Sequence, residues 1–153
     1  MIILLDIDGV MVPASGWKTP EFLNDGFPDF SPRAIKSLNK IIDKTNASIL
    51  LTTTHKSIYP IAFWRQIFAK RGINAKISKL RSTKINRKDE VLNWIKSHSD
   101  INNFIIIDDD KSLHDLPLNL KSRVIFTSSL VGLNEDLADQ AIRVLRKADL
   151  ISA

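Results

Sequence analysis

A chain of 153 residues, 44% of them hydrophobic, can bury a real core but has no room for a second full domain, so one domain spanning 1–153 is expected. With no cysteine there is no disulfide, thiolate nucleophile or Cys-ligated zinc, and any chemistry must come from oxygen and nitrogen groups. Twenty-two Lys and Arg against 17 Asp and Glu give +5 with His neutral, a balance that favours polyanionic partners. The chain opens "MIILLDIDGVM". Its apolar run is cut by Asp6 before signal-peptide or membrane length is reached, so the protein is expected to be cytoplasmic and to make no membrane contact.

Residues 2–7 form a short β-branched run ending at a turn with Gly9, the pattern of a strand buried on both faces of a parallel sheet. An irregular segment, 11–30, follows, rich in Pro, Gly and aromatics. Ser31 and Pro32 then read as N-cap and first helical residue, with Ile35, Leu38, Ile41 and Ile42 continuing a helical stripe to about Lys44. "ASILLTTTH" is a second buried strand that ends in hydroxyls. A helix from about Pro60 to Gly72 buries Phe63, Trp64, Ile67 and Phe68, and "AKISKL" supplies a short edge strand. Asn86 with Asp89 has the form of a capping box for a helix carrying Val91, Trp94 and Ile95. "NNFIIIDDD" and "RVIFT" are further buried strands. The last helix starts near Glu135, with acids early and bases late, matching its dipole. Strands alternating with helices predict an open α/β sheet whose crevice lies at the carboxyl ends of its strands.

Three of those ends carry polar chemistry: Asp6 and Asp8, then Thr52 to Thr54, then Asp108 to Asp110. Each alone has a structural explanation: a turn after a strand, β-propensity, and a cap for "KSLHDL" by Asp110. Together, in a parallel sheet, they converge into a carboxylate cluster that needs a hard cation, and an all-oxygen set suits Mg²⁺. An anion drawn to such a site needs a further positive partner. Nine Lys or Arg and no acid lie from Arg65 to Lys88, and Arg87 falls in the first turn of the Asn86-capped helix. A solvated face accounts for most charges of such a run, with one or two entering the site.

"LLDIDGVMV", "ILLTTTH", "NRKDEVLNWI" and "FIIIDDD" resemble, in order, the four motifs of the haloacid dehalogenase-like (HAD) phosphatases. The match extends nearly end to end to the HAD domain of Swiss army knife RNA repair proteins, through "DIDGV", the Arg87, Glu90, Val91, Trp94 pattern and "LVGLNED". The resemblance implies a Rossmann-like sheet with helices on both faces and a minimal cap, here only the 11–30 flap. It also implies roles: Asp6 as nucleophile forming an aspartyl-phosphate, and Asp8 as general acid and then base. Mg²⁺ would be held by Asp6, the Asp8 carbonyl and an acid of the third cluster, Asp109 with Asp108 beside it. Thr52 would bind a phosphate oxygen, with Gly9 and Thr53 lining the phosphate. Arg87, or Lys84 with another loop arrangement, would stabilise the transferring group. Where the family often has Trp-Arg, this chain has His55 and Lys56 as substrate contacts, and His55 either touches phosphate or caps the next helix.

The short flap leaves an open crevice, which suits a large substrate with an exposed phosphate. With the basic run and the RNA-repair resemblance, this points to a nucleic-acid terminal phosphate. Trp17, Phe22, Phe27 and Phe30 either stack bases or pack the flap onto the body. The competing readings are a capless phosphatase of a phosphoprotein or small metabolite, and a non-catalytic nucleic-acid-binding module.

Overall fold

A computed structural model describes residues 1–14, 21–81 and 85–152, with side chains as far as Ala148. Five strands, β1 (Ile2–Leu5), β2 (Ser48–Leu51), β3 (Ile77–Lys79), β4 (Phe104–Asp108) and β5 (Val124–Phe126), form one sheet in the order β3-β2-β1-β4-β5. All its pairings are parallel, with Ile2 opposite both Ser48 and Phe104. β1 is central, which is why its residues are apolar without alternation.

The two faces are covered unequally. Ile3, Leu5, Ile49, Leu51, Ile105 and Ile107 pack in one cluster with side chains of α1 (Pro32–Thr45), α2 (Ile61–Lys70) and α5 (Glu135–Ser152). Leu4, Leu50, Phe104 and Ile106 turn the other way, onto Val91 and Trp94 of α3 (Arg87–Ser97) and onto Leu113 and Leu116. The Rossmann-like α/β architecture is therefore present, with helices on both faces.

Helix boundaries follow the expected caps. The Ser31 hydroxyl accepts from the Ala34 amide at 3.1 Å, and Asn86 accepts from the Asp89 amide at 2.9 Å. β1 stops at Leu5, two residues before the expected end, because Asp6 begins the turn that serves the site. The 3-10 helix 54–57 and the short α4 (Leu118–Lys121) have no hydrophobic periodicity and escape the sequence pattern, whereas a second 3-10 helix, 111–115, falls in the "KSLHDL" stretch for which Asp110 reads as a cap. Asp110 caps the second 3-10 helix, accepting from the Ser112 amide at 2.8 Å.

The described part of the flap is held from below. Arg71, its side chain fully covered, bonds both Asp25 oxygens at 2.7 and 3.3 Å and the carbonyls of Phe27 and Pro28 at 3.0 Å each. Phe27 and Phe30 are buried, so these two pack the flap onto the body, whereas Phe22 is exposed. Trp17 lies outside the described residues.

Candidate active site

Asp6 leaves the carboxyl end of β1 with its amide donating to the Ile107 carbonyl at 3.1 Å. The chain then curls tightly: the amides of Val10, Met11 and Val12 all donate to the Ile7 carbonyl at 3.1, 2.8 and 3.0 Å. Gly9 sits in this curl at φ +78°, and a Cβ added there would stand 2.1 Å from Asp109 Oδ2. Glycine thus serves twice, for the left-handed backbone and for the approach of Asp109. The Gly9 carbonyl is fixed by the buried Thr127 hydroxyl, which donates to it at 2.8 Å.

Asp6 and Asp108 are buried, Asp109 is partly buried, and oxygens of the three lie within 4.8 Å of one another. Arg87 enters from α3. Its guanidinium donates to Asp108 Oδ2 at 2.5 Å and to the Thr52 hydroxyl at 3.4 Å, and stands 3.6 Å from Asp6 Oδ1. Thr52 is fully buried, its amide bonded to the Leu5 carbonyl at 3.0 Å.

One guanidinium does not offset three carboxylates. Burial, reinforced by the charge on Asp108, pushes the Asp6 carboxyl up to about 8 in spite of Arg87. Asp108 is also raised, by burial, with Arg87 opposing. Burial works against the Arg87 charge, yet Asp108 and Asp6 hold its pKa above the usual value. The donor set, oxygens alone and short of positive charge, fits a hard divalent cation.

The remaining predicted residues divide. The Thr53 hydroxyl accepts from the His55 amide at 3.3 Å, capping the 54–57 turn. His55 Nε2 lies 2.6 Å from Asp8 Oδ2. Lys56 does not face the crevice: it is buried, with Nζ 3.0 Å from Glu90 Oε2. Lys84 lies outside the described residues.

A family model for the HAD domain in Swiss Army Knife RNA repair proteins matches residues 2–138. The chain belongs to that family. No curated protein and no solved structure matches it.

Two features of this HAD domain are not signalled by its four motifs. Thr127 is one, although a hydroxyl at the end of β5 repeats the pattern of polar residues at strand ends. The other is the fate of the basic run, which is continuous in sequence but not in space. Arg71 is spent on the flap, and Lys79 Nζ donates to the carbonyls of Lys56 and Tyr59 at 3.0 and 2.8 Å. Lys76 sits at the amino end of the sheet, its carbonyl bonded to the Ile49 amide at 2.8 Å. Arg81, at the carboxyl end of β3, is exposed beside the crevice end of the sheet. A groove of about 720 Å³ lined by Leu50, Leu80, Trp94 and His98 lies over the α3 face and includes none of the site acids. No helix among the described residues is long and apolar enough to cross a membrane.

Proposed function

We propose that the 153 residues act as one Mg²⁺-dependent phosphomonoesterase domain, using an aspartyl-phosphate intermediate on nucleic-acid terminal phosphates. The observation that carries this reading is the convergence of Asp6, Asp108, Asp109 and Arg87 beside the Asp8 turn. Asp6, the Asp8 carbonyl, Asp108 and Asp109 would hold the Mg²⁺, which neutralises phosphoryl oxygens and the surplus carboxylate charge when bound.

Asp6 attacks phosphorus in line, and the bond to the leaving oxygen breaks as Asp8 supplies that oxygen with a proton. Water then attacks the aspartyl-phosphate, gives its proton to Asp8, and the phosphorus–Asp6 bond breaks. Arg87 and the Thr52 hydroxyl, already in contact, steady charge on the equatorial oxygens. A nucleic-acid substrate draws support from the family's description, which places such domains in RNA repair proteins, and an exposed terminal phosphate suits the accessible acid, the Asp8 side chain being 62% accessible.

The test is phosphate release from an aryl phosphate, end-phosphorylated oligonucleotides, mononucleotides and sugar phosphates. EDTA should abolish turnover and Mg²⁺ restore it, and full activity in EDTA would reject the metal assignment. Oligonucleotides should exceed mononucleotides in kcat/KM at low salt, with log affinity falling by roughly 0.7 per log salt for each extra phosphate contact. Equal efficiency at all salt concentrations would favour a small-molecule phosphatase instead.

A further inference from the structure

Asp8 stands apart from the other acids: it is exposed, outside the buried cluster, and on the tight turn after β1. Among the described residues one side chain bonds it, His55, through Nε2 to Oδ2 at 2.6 Å. His55 is itself restrained. Its amide is capped by Thr53, and the Phe27 ring meets its imidazole edge-on at 5.9 Å and 88°. Phe27 is buried, set edge-on against Trp64 at 5.3 Å, and its carbonyl is bonded by Arg71. An anchored aromatic cluster thus extends through His55 to one oxygen of Asp8.

We infer that His55 is a positioning residue for the proposed general acid: it bonds Oδ2 of Asp8 so that Oδ1 faces the leaving group. This rests on the phosphatase reading above. With Nε2–H donating to Oδ2, the proton of the acid form resides on Oδ1. In the first step Asp6 bonds to phosphorus, the phosphorus–leaving-oxygen bond breaks, and the Oδ1 proton passes to that oxygen, leaving Asp8 a carboxylate. In the second, Oδ1 takes a proton from the attacking water as the Asp6–phosphorus bond breaks. His55 gains and loses no proton, and its contribution is orientation. The segment that carries it is held at both sides of His55, by the Thr53 hydroxyl on the His55 amide and by the Lys56–Glu90 pair.

The decisive comparison is His55→Ala and His55→Gln, alone and with Asp8→Asn, on an alkyl and an aryl phosphate. His55→Ala should lower kcat on the alkyl ester about 10- to 100-fold, with a much smaller loss on the aryl ester and little change in KM. His55→Gln, which returns an N–H donor, should recover part of the loss. In the Asp8→Asn background His55→Ala should add nothing. Equal losses on both esters, or a further loss in that background, would overturn the assignment. Crystal structures of the wild type and His55→Ala give a readout independent of turnover: the Asp8 side chain should leave its position in the variant, and an unmoved Asp8 would also overturn it. A wild type inactive on both esters would instead reject the phosphatase reading, so the two failures are distinct.

Discussion

Asp6 is useful because it is uncomfortable. Its carboxyl is pushed up to about 8 from 3.8, so between those values the folded state holds a proton that the unfolded state releases. Stability of the metal-free protein must then fall as pH rises from about 4 to 8, with the raised Asp108 acting in the same direction. Thermal melts in EDTA should show a Tm declining across that window, and Mg²⁺ should flatten the decline. Asp6→Asn removes the costly charge while keeping the shape. It should raise the metal-free Tm at pH 8 by roughly 2–4 °C, equivalent to about 1 kcal/mol for a chain of this size, and lower kcat on the order of 10³-fold or more. A variant that loses both stability and activity would point to a structural role for Asp6. The acids and Thr52 were legible in the sequence because each ends a run of apolar strand residues. The His55–Asp8 contact was not, since two residues 47 apart meet only through the parallel pairing of β1 with β2.

At the scale of elements, the Lys56–Glu90 pair ties the turn after β2 to α3, one helical turn beyond Arg87. Both side chains are at least 93% covered, so each charge depends on the other. Removing one partner, as in Lys56→Met or Glu90→Leu, should cost about 3–5 kcal/mol. The double variant should regain most of that stability, because a matched apolar pair leaves no orphaned charge. Denaturant unfolding of the three proteins measures this, and additive losses would deny the coupling. The sequence shows the helix that carries Glu90 through its Asn86 cap and its Val91 and Trp94 stripe. It does not show that Lys56 turns inward, because a lysine beside a histidine after a row of threonines has the composition of a surface turn. The 3-10 helix at 54–57, only four residues long, leaves no periodic mark in the sequence, whereas the one at 111–115 was legible through its Asp110 cap.

For the whole molecule, the order of the strands was foreseeable only as a class. Alternating strands and helices predict a parallel sheet, but the position of β1 between β2 and β4 depends on contacts more than 100 residues apart in sequence. The basic run shows the opposite failure: charges adjacent in sequence were separated by the chain's descent along α2 and return along β3. The bracing of the Asp8 turn by residues that follow β5 sets a timetable for biosynthesis. The Thr127 hydroxyl holds the Gly9 carbonyl, 118 positions earlier, and the Leu133 amide holds the Val10 carbonyl at 2.8 Å. A ribosome adding 5–20 residues per second makes the turn and then needs about 6–24 s more to make its brace. All four motifs are complete by Asp110, yet a nascent chain arrested there should still be cleaved by protease within the first strand and turn. Extension of the nascent chain well past Leu133 should abolish that cleavage, and protection already present at the earlier arrest would show that the Asp8 turn matures without its brace.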